Sequence, residues 1–256
     1  MAFVHFNSFG QRQQQLVDEY EVSVGYSVFQ GDYGVKGDFT STLGNAGFLI
    51  GGKAYFNILN YDNYNCYPCK HVKFPLGYNI GYSLLNFDKV DFKNNSIEAL
   101  KLKAFRGQIF QSSLSFGFEY HIGDLNKFAF NTEYFYQNFD PYFGASIGGT
   151  AYVVKLKSDL GDFETNPGIL PEAFKGGIYD KPGAVGMLLL EAGLRYKISS
   201  SINLTFSSKW LYYFSDKVDG LVPNPDMVPN IHNDWQFTPA IGVVFLLRYG
   251  RFFAMN

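Results

Sequence analysis

Residues 187–216 constrain the fold of this chain more tightly than any other stretch. From Leu188 onward, Leu188, Leu190, Ala192, Leu194 and Tyr196 alternate with Leu189, Glu191, Gly193, Arg195 and Lys197. After Ser199, Ser200 and Ser201 the alternation resumes, with Ile202, Leu204, Phe206, Trp210, Tyr212 and Phe214 set against Asn203, Thr205, Ser207, Lys209 and Tyr213. A period of two over this length describes two strands joined by a tight turn. One face is aliphatic in its middle and aromatic toward its ends, while the other carries Glu191, Arg195, Lys197 and Lys209. A soluble sheet buries its apolar face and does not crowd aromatic rings at the strand ends. The pattern is that of a membrane barrel strand, with lipid outside and a polar lumen inside.

The rest of the chain repeats the pattern. The 256 residues include 27 Phe and 19 Tyr, only 17% are charged, and 27 Gly are spread throughout. Mean hydropathy is nevertheless −0.09. No run reaches the ~18 apolar residues of a helical membrane span, so any crossing must be made by strands. A net charge of −2 gives no bulk attraction to nucleic acid or acidic lipid. Alternating segments fall at residues 19–29, 46–57, 74–85, 105–121, 141–155 and 237–249, in addition to the hairpin. The expected architecture is an all-β, eight-stranded antiparallel up-and-down transmembrane barrel over residues 19–250, requiring no helix. Residues 1–18 are expected to form a signal remnant or polar leader, or an ordinary loose terminus, and 251–256 a tail. A soluble β-sandwich or lipocalin-like barrel is the alternative.

With both ends of the barrel on the periplasmic side, the short Ser199–Ser201 turn is periplasmic and the long segments 158–184 and 219–234 are external. Segments 58–72 and 122–138 are long for periplasmic turns. An eight-stranded barrel has room inside only for side chains. The inward positions Glu21, Lys53, Glu119, Glu191, Arg195, Lys197, Lys209 and Arg248 carry both signs. Buried charges of mixed sign must pair, so a plugged lumen held by an ion-pair network is expected, with a proton or ion path as the sharper reading.

Cys66 and Cys69, in Cys66-Tyr67-Pro68-Cys69, are the only cysteines. Their turn-rich surroundings favour a local disulfide over a redox centre. A zinc site, with His71 as a third ligand, lacks an obvious fourth. Catalysis finds little support: His121 is near Glu119 on the inner face, and the outward Ser112 and Ser208 have no histidine at matching depth. The chain is expected to be non-enzymatic, with no cofactor and no metal.

The order of Leu190-Glu191-Ala192-Gly193-Leu194-Arg195-Tyr196-Lys197-Ile198-Ser199, Ile202-Asn203-Leu204 and Tyr213-Phe214-Ser215-Asp216 resembles the PorG family. These are small outer-membrane barrels of the type IX secretion system of Bacteroidota. Phe29-Gln30-Gly31-Asp32-Tyr33-Gly34 and Phe139-Asp140-Pro141-Tyr142-Phe143-Gly144 are similar to the family's first-strand and middle-strand motifs, and the likeness spans residues 20–249. The Cys66–Cys69 loop is not part of that likeness. The resemblance implies an anchoring role in protein secretion and gliding motility. Its partners would be a periplasmic ring of a PorK/GldK-type lipoprotein and a PorN/GldN-type protein. Tyr61, Tyr64, Tyr67, Phe128, Phe130, Tyr134 and Tyr136 would then form a docking surface of exposed aromatic anchors, or an interfacial aromatic girdle. The alternative role is that of a free-standing barrel of the OmpA, OmpX or OmpW kind, serving membrane integrity, adhesion or passage of small ligands.

Overall fold

The computed structural model describes residues 17–34, 38–56, 71–92, 96–125, 128, 138–199, 201–222 and 233–246. Eight strands form one closed barrel: β1 (Val17–Gln30), β2 (Ala46–Phe56), β3 (Val72–Asn86), β4 (Phe105–His121), β5 (Phe139–Ser158), β6 (Gly183–Lys197), β7 (Ile202–Tyr213) and β8 (Trp235–Leu246). Each pairs antiparallel with its sequence neighbours, and β1 closes the ring on β8 through pairs such as Val22↔Val243. Closure leaves no sheet edge to template aggregation.

Side-chain parity follows the alternation of the sequence. Val22, Val24, Ile50, Leu114, Phe116 and Ile147 are exposed on the outer wall, while Glu21, Glu119, Glu191 and Arg195 are buried within. The Tyr142 ring faces the bare backbone of Gly193 across the β5–β6 ladder, where a Cβ would lie 2.4 Å from the ring. Glycine is therefore required there to admit the phenol to the lumen.

The strands run past the sequence-derived limits at the end that bears the β1–β2, β3–β4, β5–β6 and β7–β8 connections, here the loop end. β5 continues to Ser158 and β6 starts at Gly183 rather than Met187. Two short helices also occur in these connections, α1 (Phe39–Thr42) and α2 (Ile97–Ala104), with 3-10 turns at Pro167–Ile169 and Glu172–Phe174. Asp38 and Ser96 cap α1 and α2 by accepting from Thr40 N and Ala99 N. The barrel itself needs no helix, as expected, and the helices belong to its connections. Cap residues supply the orphan N–H groups with acceptors, so loops folded over a barrel mouth can coil locally.

Candidate functional site: the barrel lumen

The lumen has two chemically distinct halves. At the opposite end from the loops, the terminal end, Lys53 from β2 reaches Glu119 Oε1 on β4 at 2.7 Å and Glu191 Oε2 on β6 at 2.8 Å, with Glu21 Oε2 on β1 at 3.9 Å. Arg195, fully buried, donates from its two terminal nitrogens to Glu19 Oε2 at 2.7 Å and Glu119 Oε2 at 3.0 Å. Lys73 completes the Glu19 site at 2.5 Å. The Tyr55 hydroxyl donates to Glu21 at 2.7 Å, and the Tyr142 hydroxyl donates to Glu191 at 2.7 Å. The Arg195 guanidinium lies 4.6 Å from the Tyr55 ring centroid. Lys209 donates to Ser23 Oγ at 2.9 Å.

The carboxylates Glu19, Glu21, Glu119 and Glu191 thus share one compartment with the cations Lys53, Lys73, Arg195 and Lys209. Their balance matters because an isolated buried charge costs several kcal/mol, roughly, even after relaxation. The cavity left between Lys53, Asn79, Ser115, Glu119, Glu191 and Lys209 measures about 10 Å³, close to the size of one water molecule.

Of the inward residues expected from sequence, Glu21, Lys53, Glu119, Glu191, Arg195 and Lys209 come together in this network. Lys197 lies apart, donating to the Phe128 carbonyl at 2.8 Å, and Arg248 lies outside the described residues. Tyr55, Tyr142, Glu19 and Lys73 were missed. Tyr142 has inward parity in the sequence, but parity does not show that its hydroxyl, like that of Tyr55, donates to a carboxylate from another strand.

His121 is fully buried, and its Nδ1 lies 2.7 Å from Asp140 Oδ2, while its Nε2 is 3.6 Å from Glu119 Oε2. The orienting carboxylate is therefore Asp140, which the ladder sets across from Arg195 on β6, and not the residue two places earlier on the same strand. Ser112 Oγ donates to the Tyr78 hydroxyl at 3.0 Å on the outer wall. Ser208 shares the outward parity of Phe206 and Trp210, so the barrel wall separates both serines from His121. His71 Nδ1 faces the His121 carbonyl at 3.0 Å, and its ring stacks on Tyr120.

The loop-end half is apolar, which corrects the expectation of a polar lumen throughout. Phe29, Leu49, Leu85, Ile109, Met187 and Leu211 point inward, and Tyr33, Phe87, Leu170, Phe174, Val218 and Leu221 fold over them from the loops as one buried cluster. The inward positions near the loop end are simply apolar in the sequence, and the loops supply the rest of a core. Gln111, Gln236 and Tyr213 sit at its floor, with the Tyr213 hydroxyl donating to Gln111 Oε1 at 2.7 Å.

Among the expected docking aromatics, Phe128 is buried, so it is not an exposed anchor. Its backbone is held at both ends: the carbonyl accepts from Lys197 and the N–H donates to the Asp124 carbonyl. Tyr61, Tyr64, Tyr67, Phe130, Tyr134 and Tyr136 lie outside the described residues, as do Cys66 and Cys69. Among the described residues, no group of His, Cys, Asp or Glu is arranged to hold a metal.

No family model matches the sequence, and no curated protein matches it. Among solved structures the chain is similar to Neisserial surface protein A, at 12% identity over 90% of this chain and 96% of that one, with a TM-score of 0.40. It is also similar to Ail, the attachment invasion locus protein of Yersinia pestis, at 13% identity over 90% and 99% with a TM-score of 0.40. A third similar structure is the outer membrane protein OprG from Pseudomonas aeruginosa, at 11% identity over 90% and 97%, again with a TM-score of 0.40.

Proposed function

We propose that this chain is a bacterial outer-membrane barrel that conducts nothing, catalyses nothing and acts through its ends. The carrying observation is the doubly closed lumen. Lys53 and Arg195 tie four strands together across the terminal half, and an apolar core fills the loop half. The belt of exposed Val, Ile, Leu and Phe around the wall supplies the lipid-facing surface.

The finer reading is an anchor for the type IX secretion and gliding machinery, of the PorG kind. On this reading, segments 58–72 and 122–138 hold the periplasmic ring of a PorK/GldK-type lipoprotein and a PorN/GldN-type protein against the membrane. What supports it is the order of the sequence motifs and the two long connections at the terminal end. The buried Phe128 removes one aromatic from the proposed docking set and leaves the remaining six.

The test is affinity capture of the intact barrel from detergent-solubilised envelopes of its own host. Ring proteins should co-purify with the wild type. They should be lost when 58–70 and 129–137 are exchanged for Gly-Ser linkers that spare Phe128 and the strands. Retention of the ring by the exchanged barrel removes the docking proposal, and absence of the ring from the wild-type capture favours the free-standing barrel.

A further inference from the structure

Among the residues whose side chains are described, the outer wall of the strands carries charge in one place only. Arg106 at the start of β4, and Lys155 and Lys157 at the end of β5, share the outward parity of Phe110 and Val153. Every other described charge on a strand sits on the inner parity. All three outward charges are cations, and they occupy adjoining strands at the loop end.

Their register brings them together. Arg106 lies directly across the ladder from Lys157, and Gln108 directly across from Lys155. Like charges in direct cross-strand register destabilise a sheet unless a counter-charge lies between them. The acidic neighbours serve only the arginine: Asp88 Oδ1 meets Arg106 Nη1 at 2.6 Å, and Asp159 Oδ2 lies 3.7 Å from Arg106 Nε. Neither Lys155 nor Lys157 has an ion pair among the described residues. Moving from Lys155 toward the terminal end, the outer face of β5 reads Val153, Ala151, Gly149, Ile147, Ala145 and Phe143. The cations therefore stand at the rim of the apolar belt, one outward position beyond it.

We infer that Arg106, Lys155 and Lys157 bind the phosphate of a phosphorylated glycolipid in the leaflet at the loop end. This rests on the outer-membrane reading above. In a bilayer, the depth just past the hydrocarbon is where headgroup phosphates lie. The ammonium groups of Lys155 and Lys157, beside an Arg106 guanidinium that Asp88 and Asp159 hold in place, match a phosphate in sign. The lipid's acyl chains would lie along Phe110, Leu114 and Val153, which are already exposed on the same strands.

The experiment reconstitutes the full barrel in phosphatidylcholine nanodiscs containing a small fraction of lipid A, either phosphorylated or enzymatically dephosphorylated. Lipid retained through detergent exchange is counted by native mass spectrometry. The wild type should retain the phosphorylated form in preference. Each of R106Q, K155Q and K157Q should weaken that preference about fivefold, and the triple variant roughly tenfold or more. K217Q, at an exposed lysine of the β7–β8 connection, should leave it unchanged.

Undiminished retention by the triple variant, or equal retention of dephosphorylated lipid, overturns the inference. So does inorganic phosphate bound at the patch with no preference for lipid A, which would assign the patch to a free anion. Heat-dependent gel migration and protease protection report insertion separately. A barrel that fails to insert overturns the outer-membrane reading itself, and one that inserts without phosphate preference overturns only this proposal.

Discussion

Lys53 is the side chain on which the terminal half of the lumen depends, since one ammonium group faces Glu21, Glu119 and Glu191 from three other strands. Replacing it with methionine leaves carboxylates buried with too few cations. K53M should lower stability by about 3–5 kcal/mol, measured as the urea midpoint of the folded-to-unfolded gel shift. Removing the charges on both sides together, as in K53M with E191L, should recover part of that loss. A second residue test is G193A. Its Cβ would fall 2.4 Å from the Tyr142 ring, displacing the hydroxyl from Glu191 at a cost of about 1–3 kcal/mol. The same G193A change in a Y142A background should be much milder.

Much of this network was legible at the level of single residues, because strand parity alone places Lys53, Glu119, Glu191 and Arg195 inside. What parity does not reveal is who meets whom. Tyr55, Tyr142 and Asp140 find their partners, 34, 49 and 19 residues away along the chain, through the register between neighbouring strands, and no local pattern encodes that register. Arg106, Lys155 and Lys157 carry no signal of their own in the sequence, and it is the β4–β5 ladder that sets them side by side.

Among the elements, the strands were the easiest to read and the connections the hardest. Alternation locates all eight strands, and closure follows because a lipid-facing sheet can leave no unpaired edge. The apolar half of the lumen escaped notice because it is assembled from two sources, strand ends and loops, each of which is unremarkable alone. That cap is held partly by acid groups. Asp234 Oδ2 accepts from Val218 N at 2.8 Å and Asp219 N at 3.1 Å, and Asp219 Oδ2 accepts from Asp32 N at 2.6 Å. Both carboxylates crowd Gly31, whose Cβ would meet them at 2.4 and 2.7 Å.

Burial holds the Asp219 carboxyl up to about 7, and burial together with the charge of Asp219 raises Asp234 well above its ordinary range. Both groups bind a proton more tightly when folded than when unfolded. Their contribution to the cap is therefore complete below the unfolded value of roughly 4; that of Asp219 is lost as pH rises through about 7, and that of Asp234 as pH rises through its own raised value. Amide exchange at 218–222, corrected for intrinsic rates, should be faster at pH 8 than at pH 6 by about an order of magnitude. D219N should flatten that dependence. An exchange rate that does not change with pH in the wild type would count against it.

At the scale of the whole molecule, the two fillings in series make the barrel a wall rather than a channel. Single-channel recordings of the purified protein in planar bilayers should show no steady conductance. Shortening segment 159–182 to a four-residue turn removes Leu170 and Phe174 from the plug, yet it should still not open a path, because the charged half remains closed. Steady current through the wild type would remove the proposal of a blocked lumen. The fold class was available from sequence because period-two alternation, aromatic strand ends and a charged inner face agree with one another. The role was not, because it rests on surfaces that alternation does not describe.

The charged half of the lumen also has a kinetic consequence. Each hairpin joins neighbours in sequence, yet the bonds at the centre of the barrel span 66, 138 and 176 residues, from Lys53 to Glu119, Lys53 to Glu191 and Glu19 to Arg195. A growing sheet can lengthen strand by strand, but the pairs that join β2 to β6 and β1 to β6 across the lumen form only as the sheet curls shut. An open intermediate holds only the opposite charges that adjacent strands set in register, such as Glu21↔Lys53, Lys73↔Glu119 and Glu191↔Lys209. The final seam is therefore both the slowest contact to find and the one that completes the network. Assembly of this barrel should show a late, rate-limiting closure with few populated half-rings, and once closed it should come apart all at once.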